Sequence, residues 1–252
     1  MNFYQKCVLI TGGSRGIGKA TAIAFARAGA HVVLNFKEND HAAQDTLDQL
    51  EGEHHLAIQA DITDPDAAKE LIDQILEVYG KLDILVNNAG IYLAHPIDRV
   101  DFEDWQNAWH HTLNLNLQAA ANLSFLAAQI MMEQHAGRII NVSSRGAFRG
   151  EPEHPAYAAS KAGLNAMSQS LAQALGRYNV GVAVVAPGFV QTDMTADLLN
   201  SAKGSAIKDQ SAWGRVAYPE EIAQTILFLA SEQAAFTSGT IVDVNGASYL
   251  RS

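Results

Sequence analysis

An α/β fold, built on one open parallel sheet with helices on both faces, is what this chain predicts, on three observations. Seven short β-branched apolar runs alternate with longer helical patterns, a glycine-rich stretch follows the first run and opens a helix, and no Pro/Ser-rich linker or charge block divides the 252 residues. Alternation of strand and helix is the signature of repeated βαβ units, whose right-handed crossovers wind the chain over both sides of a sheet. Parallel strands covered on both faces read as continuous apolar runs. With 48% hydrophobic residues the chain can bury one full core, so a single domain spanning 1–252 is expected.

The first run, Cys7 to Ile10, leads into Thr11-Gly12-Gly13-Ser14-Arg15-Gly16-Ile17-Gly18 and a helix to about Ala28. Glycines there allow a tight turn and close approach of backbone to a pyrophosphate, which then sits on the partly positive helix N-terminus. This is the doubly wound, Rossmann-type arrangement, which binds ligands at the carboxyl ends of its strands where the strand order reverses. The same stretch nearly spells a P-loop, Gly13-x4-Gly18-Lys19, but Ala20 stands where a Mg-binding hydroxyl is needed, so a nucleotide hydrolase is not expected.

The second run, Val32 to Leu34, continues as Asn35-Phe36-Lys37, with no carboxylate at the strand end where an NAD site places one for the ribose 2′-hydroxyl. Arg15 and Lys37 could clamp a 2′-phosphate instead, which points to NADP; the alternative is two solvated cations beside Glu38 and Asp40. The third run, Leu56 to Ile58, precedes Asp61-Ile62-Thr63-Asp64-Pro65, a helix start in which Thr63 or Asp64 caps and Pro65 takes the first turn. That helix carries Asp66, Lys69, Glu70 and Asp73 on a wet face. The fourth run, Ile84 to Val86, opens into the turn Asn87-Asn88-Ala89-Gly90.

Two later helical stretches, Asn116 to Met132 and Ala162 to Gly176, contain no charged residue. A helix without a charged face is buried on more than one side; one side is the sheet, and the other is most simply a second subunit. The fifth run, Ile139 to Val142, ends at Ser143-Ser144, the sixth, Val180 to Val185, at Pro187-Gly188, and the seventh is Ile241 to Val244. Between 194 and 215 the helical signal is weak and Gly204 and Gly214 can act as hinges, which suggests a mobile lid.

Tyr157-x-x-x-Lys161 places a phenol and an ammonium on one helical face, thirteen residues after Ser144. A cation one turn from a phenol favours the phenolate, so the pair can exchange a proton with an alcohol or a developing alkoxide. Together with the glycine stretch, Asn87-Asn88-Ala89-Gly90 and Pro187-Gly188, these motifs resemble in order and spacing the short-chain dehydrogenase/reductase family, and within it the 3-oxoacyl-thioester reductases. The resemblance covers almost the whole chain.

The resemblance implies that Gly12, Ser14, Arg15, Gly16, Ile17 and Gly18 cradle the cofactor phosphates, with Asn35 and Lys37 near the adenosine ribose. It implies that Asp61 accepts from the adenine amino group with Ile62 beside it, and that Asn87, Ala89 and Gly90 cover the ribose and steady the sheet. Ser144 would bind the substrate carbonyl, and Tyr157 would protonate it as hydride leaves the nicotinamide. Lys161 would lower the phenol's pKa and hold the nicotinamide ribose, and Asn116 would support a proton-relay water. Pro187, Gly188, Val190 and Thr192 would hold the carboxamide. Asn114 and Ser143 are nearby alternatives; Asn116 and Ser144 keep the family's spacing to each other and to Tyr157.

Charge and composition bound the partners. With 27 acidic and 17 basic residues the net charge is −10, which repels phosphate backbones and anionic membranes, so neither nucleic acid nor a membrane surface is expected. No apolar run is long enough for a signal or a span, which suggests the cytoplasm. Cys7, the only cysteine, lies in an apolar run and reads as a buried thiol, and no Cys/His cluster has metal-ligand spacing. The expected activity is NADP-dependent reduction of a small carbonyl substrate by a homotetramer, first of a 3-oxoacyl thioester and otherwise of another ketone, a quinone or a sugar. A different class, a non-catalytic NADP-binding regulator, would be free to lose the phenol. Glu151 and Glu153, in the loop before Tyr157, put carboxylates where an acidic carrier protein would want cations, so a carrier-bound substrate is disfavoured.

Overall fold

The computed structural model describes residues 1–251 as one seven-stranded, wholly parallel sheet in the order β3-β2-β1-β4-β5-β6-β7. Its strands are β1 (Cys7–Thr11), β2 (His31–Phe36), β3 (Leu56–Gln59), β4 (Ile84–Asn87), β5 (Gly137–Val142), β6 (Val180–Pro187) and β7 (Ile241–Val244). All seven apolar runs are strands, and six extend beyond the run by one to three residues because ladder pairing recruits polar neighbours such as Asn35 and Asn87. The order reverses between β1 and β4, and the loops after these two strands open the crevice in which such a sheet binds ligands.

Helices α1 (Gly16–Arg27), α2 (Asp40–Leu47), α3 (Pro65–Tyr79), α4 (Phe102–Leu113), α5 (Ala120–Gln134), α6 (Gly146–Arg149), α7 (Pro155–Leu175), α8 (Asp193–Asn200), α9 (Gly204–Lys208) and α10 (Pro219–Ala230) complete the chain. Two apolar cores lie on opposite faces of the sheet. Phe25, Ile10, Leu34, Val185 and Ile226 fill one, and Leu9, Leu71, Ile75, Leu123, Met131 and Ile139 the other. Asp64 caps α3 by accepting from the Asp66 N–H at 2.9 Å, so of the two capping residues foreseen it is Asp64 that acts, while Asp61 accepts from Thr63. Asn114–Ala119 form a π-helical turn between α4 and α5, an interruption of the helical ladder of a kind that gathers at functional sites.

Two expectations change. Residues 194–215 are more helical than their sequence suggests, because α8 and α9 lie there, and Gly204 is no hinge. It is buried at the first position of α9, and a Cβ on it would stand 2.0 Å from the Leu199 carbonyl oxygen, so glycine is required there by packing. Gly214, at φ +64° with open space around it, keeps the freedom a hinge needs. The uncharged helices expose one face, with Phe125 62% exposed and Ala162 and Ala166 open, while Ala172 is buried in the core. No helix among the described residues is long and apolar enough to cross a membrane.

Candidate active site

A cleft of about 710 Å³ runs along the carboxyl ends of β1, β2, β4, β5 and β6. At one end stands the glycine loop. Gly12 (φ +62°) and Gly16 (φ +53°) adopt left-handed backbone, turning the chain so that it can face a ligand closely. Gly18 serves the loop from behind, since a Cβ there would lie 2.2 Å from the Gly12 carbonyl oxygen; it packs α1 against β1 and does not line the cleft. Thr11 and Asn88 tie the loop to β4. Thr11 Oγ1 accepts from the Asn88 and Ala89 N–H groups, each at 3.0 Å, and Asn88 Nδ2 donates to the Thr11 carbonyl at 2.9 Å.

Ser14, Arg15, Ile17, Lys37, Asp61, Ile62, Ala89, Gly90, Pro187, Gly188, Val190 and Thr192 all line the cleft. Three refinements follow from packing. Lys37 Nζ lies 2.9 Å from Asp61 Oδ2, so the cation foreseen for a 2′-phosphate is paired with the carboxylate foreseen for adenine, whereas Arg15 has no carboxylate partner among the described residues. Burial pushes the Asp61 carboxyl up, but hydrogen bonds from Thr63 and Lys37 outweigh it and hold the group below the usual range. Asn35 reaches the cleft wall, yet its side chain is spent on the Ala60 carbonyl at 3.0 Å. Asn87 does not line the cleft; its amide donates to Asn141 Oδ1 at 2.8 Å and Ser124 Oγ at 3.0 Å, so it steadies the sheet only.

At the other end Ser144, Tyr157 and Lys161 converge. Ser144 sits just past β5, its Oγ accepting from the Gly146 N–H at 3.0 Å, and it lines the cleft together with the Tyr157 phenol. Tyr157 and Lys161 lie one turn apart on α7, with the Lys161 ammonium 5.8 Å from the centre of the Tyr157 ring. Lys161 is buried and donates to the Val142 carbonyl at 2.8 Å. Ser143 also lines the cleft, its hydroxyl donating to the Lys161 carbonyl at 3.3 Å.

The electrostatics differ from the expectation that Lys161 depresses the phenol. Burial pushes Tyr157 up to about 12, with the Ser144 hydrogen bond opposing and the Glu151 charge adding to it, and burial pushes Lys161 down to about 8. The reason is desolvation: in a water-poor cleft each group's charged form loses more than its neighbour at this distance returns. Asn116 is buried and does not line the cleft. Its Oδ1 accepts from the Ile91 N–H at 2.9 Å, and its Nδ2 donates to the Ile91 carbonyl at 3.0 Å and Ser160 Oγ at 3.2 Å. With the side chain satisfied, Asn116 clamps the β4 loop to the π turn, while Asn114 takes the position on the cleft wall.

Spacing alone did not single out the residues around the reacting end. Tyr92 stacks on His154 at 3.5 Å and meets Tyr157 edge-on at 4.7 Å, with its hydroxyl donating to Glu151 Oε2 at 3.4 Å. Arg145 is buried beside them over the Phe189 ring. None belongs to a local motif, and only the folding back of the loop after β4 onto α7 brings them together. Glu153, by contrast, turns outward to Arg99 at 2.9 Å.

This architecture has counterparts among known proteins. Residues 6–203 match the family described as short chain dehydrogenase. The 3-oxoacyl-(acyl-carrier-protein) reductase FabG of Thermotoga maritima is 38% identical over 98% of each chain. That of Escherichia coli is 37% identical over 99% of this chain and 100% of its own, and an L-rhamnose 1-dehydrogenase (NAD(P)(+)) of a Sphingomonas species is 35% identical over 97% and 96%.

Proposed function

Because the chain belongs to the short-chain dehydrogenase family and is an oxidoreductase, we propose that it reduces the carbonyl of a small substrate with NADPH, a 3-oxoacyl thioester first among them. The observation that carries this reading is the convergence of Ser144, Tyr157 and Lys161 at one end of a cleft whose other end is a glycine loop with left-handed turns at Gly12 and Gly16. The positive-φ loop and the N-terminus of α1 fit a pyrophosphate. When bound, the nicotinamide would supply the hydride. Ser144 Oγ holds the substrate carbonyl oxygen, Tyr157 gives it a proton, and Lys161 holds a positive charge behind the phenol. Asn116 clamps the β4 loop to the π turn beside the reacting residues, and residues 194–215 cover the bound substrate. A cytoplasmic protein fits a single, buried and unpaired cysteine. The test is NADPH oxidation with 3-oxobutanoyl-CoA, with the same acyl group on acyl carrier protein, and with simple ketones. Reduction of the CoA ester at least as fast as the carrier form is expected, and no turnover of any carbonyl compound would overturn the reading.

NADPH should be preferred over NADH by about 10-fold or more in kcat/KM, since a charge-assisted phosphate contact is worth about 1.5–3 kcal/mol. Arg15→Ala should remove more of that preference than Lys37→Ala, because Lys37 must first leave Asp61, 2.9 Å away. Equal use of both cofactors by the unmodified protein would refute a 2′-phosphate site.

The assembly belongs to the same reading: a homotetramer in which the uncharged faces of α5 and α7 pack on their symmetry mates. Phe125→Glu should dissociate it, as a buried unpaired carboxylate costs several kcal/mol. Light scattering that finds the unmodified protein monomeric would remove the assembly.

A further inference from the structure

Arg145 follows Ser144 directly, is 3% exposed, and lines both the main cleft and an adjoining cavity of about 340 Å³. A buried guanidinium ordinarily faces a carboxylate, because losing water without a counter-charge is costly. Among the described residues Arg145 has no carboxylate at ion-pair distance. Its Nη2 donates to Gln210 Oε1 at 2.5 Å and its plane lies over Phe189, 5.0 Å from the ring centre. Arg149 Nη1 donates to the same Gln210 oxygen at 3.3 Å. One amide oxygen, from Gln210 just past α9, therefore bonds both guanidinium groups, in the position an anionic oxygen would fill more strongly. Glu151 lies 3.5 Å from Arg149 Nε and also accepts from Tyr92, while the carboxylates of the adjoining cavity, Glu221 and Asp243, are paired with Arg215 and Arg251, each at 2.7 Å.

We propose that Arg145, with Arg149, forms an oxyanion subsite beside Ser144, so that the preferred carbonyl substrate carries a negatively charged group, which displaces the Gln210 amide oxygen. The proposal rests on the carbonyl-reductase reading of the same cleft and goes beyond it by naming the substrate's charge. The oxyanion could be a carboxylate on the reacting acid or a phosphate on a carrier thiol. Arg145 is a specificity residue in this account and donates no proton.

Two matched pairs separate the sources: 3-oxobutanoate against its methyl ester, and 3-oxobutanoyl-CoA against the neutral N-acetylcysteamine thioester. The unmodified protein should favour the charged member of one pair by about 10-fold or more in kcat/KM. Arg145→Gln should abolish that preference while leaving the neutral member within about threefold, and Arg145→Lys should restore part of it. Gln210→Glu, on an exposed residue, provides a variant that does not disturb the core. Its carboxylate should occupy the subsite and raise KM for the charged member about 10-fold more than for the neutral one. Preference ratios that neither variant moves would overturn the proposal. Calorimetric titration of 3-oxobutanoate and of inorganic phosphate reads the subsite without turnover. If no carbonyl compound is reduced, binding weakened by Arg145→Gln supports the subsite while the reductase reading falls, and absent or unaltered binding overturns the subsite as well.

Discussion

Tyr157→Phe is expected to lose at least about 100-fold in kcat while binding NADPH normally. The hydroxyl belongs to the cleft end where Ser144 and Lys161 also lie, and a positioned general acid contributes about 10² to 10⁴ in rate. The ring stays, so its edge-on packing against Tyr92 at 4.7 Å and the cleft wall remain, and cofactor fluorescence should titrate as before. A second readout is the pH profile of the unmodified protein. The phenol, pushed up to about 12, keeps its proton throughout the working range, whereas Lys161, pushed down to about 8, loses its charge. Reduction should therefore be level in kcat/KM below about pH 8 and decline above it, in the direction set by deprotonation of the ammonium. A Tyr157→Phe variant of near-normal rate would take the residue out of its role.

Gly18→Ala should be the most damaging single methyl in the phosphate loop. The added carbon would lie 2.2 Å from the Gly12 carbonyl oxygen, 2.9 Å from its carbon and 2.7 Å from Asn88 Nδ2. Two of these are backbone atoms that cannot rotate away, so α1 must shift from β1 and carry the loop with it. Overpacking of this kind costs about 1–3 kcal/mol, and the displaced N–H groups should weaken NADPH at least about 10-fold. Thermal unfolding and cofactor titration measure the two effects. Gly80→Ala is the control. It has a positive φ of +67° but nothing within 4 Å of the added carbon, so it should cost stability alone, about 1 kcal/mol from the left-handed backbone. A Gly18→Ala protein with normal melting and normal cofactor affinity would mean that the loop does not depend on this close packing.

What the sequence determined by itself is the order of parts. Seven apolar runs became seven parallel strands, since burial on both faces leaves a continuous apolar signature that needs no partner to be recognised. Tyr157 and Lys161 were legible because one helical turn separates them, and Ser144 because it ends a strand at a set distance from that helix. The glycine loop was legible because only glycine tolerates its turns. The tertiary structure decided whatever depended on distant neighbours. Lys37 met Asp61 across the β2–β3 edge, Asn116 spent its amide on Ile91, Asn87 turned into the sheet, Ala172 faced the core, and Gly204 packed on Leu199. Arg145, Gln210, Tyr92 and Glu151 come from four separated segments, and no local pattern records that they meet. Desolvation, which raises Tyr157 and lowers Lys161, is likewise a property of the closed cleft: it depends on how much water the surrounding chain excludes, and the spacing of the two residues says nothing of that.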